Sequence, residues 1–553
     1  MSLGSTTKKP AAVQTPGAAQ VPGKASRPGA VKSGLVAFVG AGPGSEGLLT
    51  VRAAELLAQA DLVVGTPELT DRFSYLLGAE AVVSDSTSPE QDPRMLARAA
   101  KAGQLVVRLY EGDPFIFGQA ASDVAMCMKA GARFEVVPGV PAATAVPAYA
   151  GIPLTSDAGG DVRIIHASDV SRLSADVLPS GSLVILGVEA GPVDIAKLLL
   201  AVGWPDSTPF TITWNGTTTD QLTVACALGS VSADLKAAGV SLLMEQGPAV
   251  GVVGEAAAAH HDLSWFETKP LFGWRVLVPR TKEQAASVSE RLQAHGAVPE
   301  EVPTIAVEPP RTPQQMERAV KGLVTGRYQW VAFTSVNAVR AVREKLEEYG
   351  LDARAFAGVK VAAVGEQTAG ALREFGIKPD LIPEGEQSGE GLAAVWPPYD
   401  DVLDPINRVL LPRADIATET LVARLTDLGW EAEDVTAYRT VRAAPPPAPI
   451  REAIKGGGFD AVLFTSSSTV RNLIGIAGKP HAVTVIAVIG PQTARTAAEF
   501  GLRVDVTAPK PSATALVDAL AEYGAGIRDA AVAAGEPVRK PSERRRGARR
   551  RLR

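Results

Sequence analysis

The sequence predicts an α/β protein whose C-terminal half arose by duplication, and three observations carry that reading. Residues 361–383 recur without a gap at 486–508, where Gly365, Gln367, Thr368, Ala369, Glu374, Phe375, Gly376 and Asp380 match Gly490, Gln492, Thr493, Ala494, Glu499, Phe500, Gly501 and Asp505. An earlier pair repeats at almost the same offset, Val-Ala-Phe-Thr-Ser at 331–335 and Val-Leu-Phe-Thr-Ser at 462–466. Two echoes in one order mark a repeated structural unit. Residues 34–255 alternate short apolar runs with helical patterns, again the rhythm of strands and crossover helices.

Each copy can be read element by element. The apolar runs 361–364 and 486–489 fit strands buried on both faces of a parallel sheet. Gly365 or Gly490 ends the strand, and Gln-Thr-Ala opens an amphipathic helix that stops at Gly376 or Gly501. The Phe-Thr-Ser pairs place Thr334, Ser335, Thr465 and Ser466 at strand ends where a helix begins. Together with Thr368 and Thr493, these turns present hydroxyls and unpaired backbone N–H groups, which suit carboxylates or phosphates. Any one of these residues could be an ordinary helix cap. Their recurrence at matching places in both copies points instead to a ligand between the copies.

The length of 553 residues allows three or four domains. A hydrophobic content of 46% and a net charge of −5 describe a globular chain with no bias toward nucleic acid. An apolar run long enough to span a bilayer and a signal-peptide pattern are both missing from the sequence, so the expected location is the cytoplasm, away from the membrane. Cys127 and Cys226 cannot make a disulfide framework or a cysteine zinc site, and His260-His261 sits in an Ala-rich linker, so no metal is expected. Residues 1–33 should be disordered, 256–270 should be a linker, and 524–553 should be a disordered basic tail.

In the first half, Gly40-Ala-Gly42-Pro43-Gly44 follows an apolar strand and precedes a helix expected over 48–59. A dinucleotide fingerprint, with Asp61 as the ribose acid, fails because Ser45 stands where the third glycine belongs. A phosphate-binding Walker loop fails too, because Leu48-Leu49 replace Lys and Ser/Thr. What remains is a close backbone approach to some ligand. Glu111-Gly112-Asp113-Pro114-Phe115-Ile116-Phe117-Gly118 is a turn with a carboxylate at its apex, which an Asx turn would also explain. The segments Ala-Tyr-Ala-Gly-Ile-Pro-Leu-Thr at 148–155 and Trp-Asn-Gly-Thr at 214–217 follow.

In this order and spacing, residues 34–255 resemble the S-adenosylmethionine-dependent tetrapyrrole methyltransferases, particularly uroporphyrinogen-III C-methyltransferase, a two-subdomain α/β fold. The resemblance implies a cofactor site lined by Pro43, the Glu111–Gly112–Asp113 turn, Ile116, Ala142, Gly187 and Gly216. This sequence departs from the family's pattern on the substrate side. Gly65-Thr66 replaces a Tyr-Asp pair, Asp85-Ser86 a Gly-Lys pair, and Ser156-Asp157 a His-Arg pair. The first glycine of the family's Gly-Gly-Asp turn is Glu111, and a cofactor-lining methionine near Gly187 is replaced. Binding of S-adenosylmethionine with little or no turnover is therefore expected.

Residues 271–523 resemble uroporphyrinogen-III synthase. The marks are Arg275-Val-Leu-Val-Pro-Arg280-Thr, Val409-Leu-Leu-Pro-Arg413-Ala-Asp and Ala437-Tyr438-Arg439-Thr440. The resemblance implies two flavodoxin-like α/β lobes, one from 271–304 plus 441–523 and the other from 305–440. It also implies closure of hydroxymethylbilane to uroporphyrinogen III with inversion of ring D and loss of water, and no cofactor for this half. Tyr438 would be the proton donor or positioner, and Thr334, Ser335, Thr368, Thr465, Ser466 and Thr493 the substrate contacts. Hydroxymethylbilane synthase is the implied upstream partner. Two other readings compete: a fully bifunctional enzyme that methylates its own product to precorrin-2, and a non-catalytic two-lobed tetrapyrrole-binding protein.

Overall fold

The computed structural model describes residues 34–85, 92–117, 120–155, 160–173, 181–240, 247–280, 282–415 and 419–544. Residues 1–33, expected to be disordered, lie outside these, as do Ser86, Ser156-Asp157 and the Arg-rich end beyond Arg544.

The apolar runs of the first half become β1 (Leu35–Gly40), β2 (Leu62–Gly65), β3 (Val82–Asp85), β4 (Leu105–Tyr110) and β5 (Phe134–Val137). They form a parallel sheet in the order β3-β2-β4-β1-β5. Its core is fully buried: Val36, Ala37, Phe38 and Val39 of β1 have no exposed surface. Burial of each such side chain larger than alanine contributes about 1.5–3 kcal/mol. The expected helix over 48–59 begins later, at Val51–Gln59, because Thr50 accepts the Ala53 N–H at 3.3 Å and caps it there. Asp61 is no ribose acid. Its Oδ2 accepts the Leu105 N–H at 2.8 Å and ties the chain ahead of β2 to the start of β4.

A second, mixed sheet follows from β6 (Val162–His166), β7 (Ser182–Leu186), β8 (Pro209–Trp214), β9 (Leu222–Ala227) and β10 (Ala249–Val253), in the order β6-β7-β10-β8-β9. Only β6 and β7 run parallel among its pairings; β10 and β8 meet their neighbours antiparallel.

Strands β11 (Arg275–Val278) and β12 (Val298–Glu301) open the second half. Next come β13 (Ile305–Glu308), β14 (Trp330–Phe333), β15 (Lys360–Ala363), β16 (Arg408–Ala414) and β17 (Glu431–Arg442), and β18 (Ala461–Phe464), β19 (Val485–Val488) and β20 (Val506–Thr507) close it. One parallel sheet has the order β12-β11-β18-β19-β20, the 2-1-3-4-5 order of flavodoxin-like folds. The other has the order β13-β17-β16-β14-β15, with β13 antiparallel at its edge. Leu381 pairs with Ala362 beyond β15, as β20 pairs with β19. The two lobes therefore share one spatial order of strands but enter it at different points of the chain.

Two further expectations change. Residues 256–270 form short helical turns that pack on the first half. His260 Nδ1 lies 2.5 Å from the Ala150 carbonyl, and Trp265 Nε1 donates to the Ala148 carbonyl at 2.9 Å. Phe266 stacks edge-on against Tyr149 and Phe272, with centroids at 4.8 and 5.3 Å, so the connection is docked rather than loose. The tail expected from 524 is helical up to Ala533, because the apolar stripe of helix Ala513–Ala533 is long enough to cover lobe one. Lys540 Nζ then donates to the Gly273 carbonyl at 3.2 Å, and the Ser542 N–H donates to Asp460 Oδ1 at 2.9 Å. Among the described residues, no helix is long and apolar enough to cross a membrane.

Candidate functional site

The carboxyl ends of adjacent strands β1 and β4 carry the Gly-rich turn and the Gly112-Asp113 turn, and the two cross. Gly42 and Gly112 exchange backbone hydrogen bonds at 3.2 and 2.9 Å. The contact is possible only for bare backbone: a Cβ on Gly40 would lie 2.5 Å from Gly139 Cα, and one on Gly139 only 2.0 Å from the Gly112 carbonyl oxygen. Gly112 is left-handed at φ 59° and faces the N-terminus of helix Ala142–Tyr149, where a Cβ would sit 3.7 Å from Ala142 N. Gly44 reaches across to the second sheet, 3.1 Å from the Gly216 carbonyl by the same measure. Pro43, Gly112, Asp113, Ala142 and Gly216 thus gather along one seam between the two sheets, with Ile116 half exposed beside it.

Asp113 serves this seam indirectly. Its Oδ1 accepts the Phe115 N–H at 2.8 Å, which is the Asx turn, and its Oδ2 accepts the Gly139 N–H at 3.1 Å. Thr66, in place of the family's acid, caps helix Pro67–Arg72 through the Leu69 N–H. Sequence reasoning missed two residues here. His166, at the end of β6, lies so near Gly187 (φ 77°) that a Cβ there would be 2.8 Å from Nε2. Thr217 sits at φ 71° and accepts the Ser45 N–H at 3.0 Å, tying the second sheet to the Gly-rich turn. The Asn-Gly pair at 215–216 was the available signal, since such pairs favour positive φ.

In the second half, ligands of such sheets bind outside the carboxyl ends of the strands, where the strand order reverses. That point lies between β11 and β18 in lobe one and between β14 and β16 in lobe two. Thr465-Ser466 follow β18, and Thr334-Ser335 follow β14, so both Thr-Ser pairs stand at switch points. Arg280, whose pKa burial pulls down, follows β11 on the other side of the lobe-one crevice.

Both serines also cap. Ser335 Oγ accepts the Ala338 N–H at 3.1 Å, and Ser466 Oγ accepts the Thr469 N–H at 3.2 Å. Thr368 and Thr493 lie in the first turns of helices Glu366–Glu374 and Pro491–Glu499, each 4% exposed. In lobe one the two turns touch, since Ser467 Oγ donates to the Gln492 carbonyl at 3.4 Å.

The copies differ in cover. The Glu366 N–H is taken by Gln387 Oε1 at 3.3 Å, whereas a Cβ on Gly490 would have no atom within 4 Å. Tyr438 belongs to lobe two alone. β17 slips register against β16 between Arg413 and Ala414, and Ala414 pairs with Tyr438 rather than Ala437. The bulge turns the phenol toward Ser335, with the hydroxyls 3.0 Å apart. The Tyr438 ring, 7% exposed, also walls a cavity of about 480 Å³ with Asn337 and Arg340.

Comparison with known proteins gives this geometry its family. Residues 286–518 match the family described as uroporphyrinogen-III synthase HemD, and residues 35–232 match the tetrapyrrole (corrin/porphyrin) methylases. The chain is 32% identical over 516 residues to the porphyrin biosynthesis protein HemD of Ruminiclostridium josui, covering 90% of this chain and 99% of that protein. It is 33% identical over 263 residues to siroheme synthase 1 of Serratia proteamaculans, covering 43% of this chain and 51% of that protein, so it spans about half of that relative. Among solved structures, a uroporphyrin-III C-methyltransferase from Thermus thermophilus complexed with S-adenosylhomocysteine is 30% identical, covering 41% of this chain and 99% of that one, with a TM-score of 0.35. The similarity to the Ruminiclostridium protein runs through both halves, and the chain belongs to the HemD family of porphyrin biosynthesis, a uroporphyrinogen-III synthase fused to a tetrapyrrole methylase domain.

Proposed function

We propose that the second half closes hydroxymethylbilane to uroporphyrinogen III unaided by a cofactor, in the cleft between the lobes. The observation that carries this reading is the pair of Thr-Ser turns at the two switch points, with a phenol beside one of them. Hydroxymethylbilane is a flexible polycarboxylate, and the helix N-termini behind Ser335, Thr368, Ser466 and Thr493 offer N–H donors to its carboxylates from two sides. Thr334 and Thr465 line the same turns. Tyr438 gives its proton to the departing hydroxyl, the C–O electron pair leaves with the oxygen as water, and a cation remains on the terminal ring. Ring closure through the substituted carbon, with inversion, ends in loss of a pyrrole proton that restores the phenol. The protein's main work is to hold the chain folded.

The first half binds S-adenosylmethionine along the seam of Pro43, Gly112, Ile116, Ala142 and Gly216, where left-handed Gly112 stands beside the N-terminus of helix Ala142–Tyr149 and Asp113 shapes the turn. When bound, this cofactor supplies a methyl group. In place of the family's acid at position 66 stands a threonine already spent on a helix cap, and positioned proton transfer is typically worth about 10²–10⁴-fold in rate. The half therefore binds the cofactor and turns over slowly or not at all. Calorimetry with S-adenosylmethionine, beside a methylation assay on uroporphyrinogen III, tests this. Heat of binding without methylation is expected, and turnover at about 1 s⁻¹ or faster would contradict it.

A further inference from the structure

We infer that Ser335 is a positioning residue: its hydroxyl donates to the Tyr438 oxygen and so directs the phenolic proton away from itself, toward the bound substrate. The inference rests on the synthase reading above and adds a residue that acts through Tyr438 rather than on the substrate.

A serine hydroxyl has one proton and two acceptor sites. One acceptor site of Ser335 is taken by the Ala338 N–H at 3.1 Å, the cap of helix Val336–Glu348. With Tyr438 OH at 3.0 Å, the arrangement that uses the serine proton sends it to the phenol oxygen. The phenol's own proton is then left to point elsewhere. The opposite arrangement would give the serine a second donor and leave its proton to find another acceptor in a half-buried turn. Ser335 stands at a helix N-terminus, whose partial positive charge favours the charge left on the phenol oxygen after the proton has gone.

The duplication supplies an internal control. Ser466 has the same place in lobe one and caps helix Ser467–Ala477 in the same way, but its Oγ meets Ser468 Oγ at 2.8 Å. The phenol is brought to the second copy only, by the register slip at Arg413/Ala414. One turn of the pair is therefore equipped for proton delivery, and its twin is not.

The test compares variants that keep the cap but change the donor. Glycine caps a helix nearly as well as serine, so Ser335→Gly removes the hydroxyl while sparing the fold, and Ser335→Thr keeps both functions. With hydroxymethylbilane, Ser335→Gly should lower kcat by about tenfold, the size of one hydrogen bond. KM should change little, and Ser335→Thr should restore most of the rate. Ser466→Gly should act on KM instead. In a Tyr438→Phe background, Ser335→Gly should cost nothing more. A full second loss there, or equal kcat losses in Ser335→Gly and Ser466→Gly, would overturn the inference and leave the synthase reading standing. A Tyr438→Phe enzyme at wild-type kcat would remove the role of Tyr438 and the inference with it. Failure of the unaltered chain to make the type III isomer would remove the synthase reading itself.

Discussion

Asp380 and Asp505 do one job twice. Asp380 Oδ2 accepts the Val361 N–H at 2.7 Å, and Asp505 Oδ2 accepts the Ile486 N–H at 3.0 Å. Each carboxylate closes the start of the neighbouring strand, and each residue's own N–H returns to the carbonyl of that same partner, at 2.7 and 2.9 Å. The most regular residue of the repeat is thus structural.

The twins should not cost the same to remove. The Asp505 side chain is 7% exposed and also holds Arg503, whereas Asp380 is exposed to solvent. Asp505→Ala should destabilise the chain by about 1–3 kcal/mol, the cost of a buried donor left unpaired, and Asp380→Ala by less than about 1 kcal/mol. Denaturant midpoints of the two variants check this, and equal shifts would contradict it.

Gly490 offers a cleaner probe of the cleft than Thr368 or Thr493, which are buried and would not admit a larger acid without overpacking. The backbone at Gly490 is extended at φ 176° with open space where a Cβ would stand. Gly490→Asp should therefore fold normally yet raise KM about tenfold or more, because a carboxylate would meet the substrate's own. Unchanged steady-state kinetics would place the substrate elsewhere.

The C-terminal segment should hold the second half together. Ending the chain after Gly535 deletes the Lys540–Gly273 and Ser542–Asp460 hydrogen bonds and exposes the site of the buried Pro541. A loss of about 1–3 kcal/mol is expected from two hydrogen bonds and one apolar contact. A melting curve identical to that of the full chain would show the segment to be idle.

Both thiols should be inert in the folded chain. Burial pushes Cys127 up to about 11 and Cys226 up to about 12, so neither is thiolate near neutral pH. Because the folded values lie above the unfolded ones, the associated stability is present below the ordinary thiol range and is lost as pH rises toward those values. A thiol reagent at pH 8 should label the chain only after denaturant is added. Rapid labelling of native protein would contradict this.

How much was legible follows from which interactions are local. The repeat gave the strands and helices around Thr368 and Thr493 because each unit carries its own apolar run, first-turn residues and terminal glycine within one short stretch. The Thr-Ser turns were legible for the same reason. The order of strands within each lobe was not, and the joining of 271–304 with 441–523 came only with the family resemblance, since pairing of β11 with β18 joins residues far apart in the chain. The register slip that aims Tyr438 at Ser335 depends on β16 as much as on β17, and no motif in either strand announces it. The connection at 256–270 and the segment near Lys540 were misjudged on composition. Alanine and arginine content hid Phe266 and Pro541, which are buried in the fold, and Trp265, which stays half exposed but donates to the Ala148 carbonyl. In the first half, the glycines of the crossing turns and the Asx turn at Asp113 were recognisable, but the second bond of Asp113, from the Gly139 N–H, could not be read without the fold.

The most direct measurement is the isomer composition formed from hydroxymethylbilane by the full chain without S-adenosylmethionine. Products are oxidised to the porphyrins and separated, against a blank without protein. The account predicts that the type III isomer dominates from the earliest time points, with the rate following protein concentration. Only the type I isomer, at the rate of the spontaneous reaction, would contradict it.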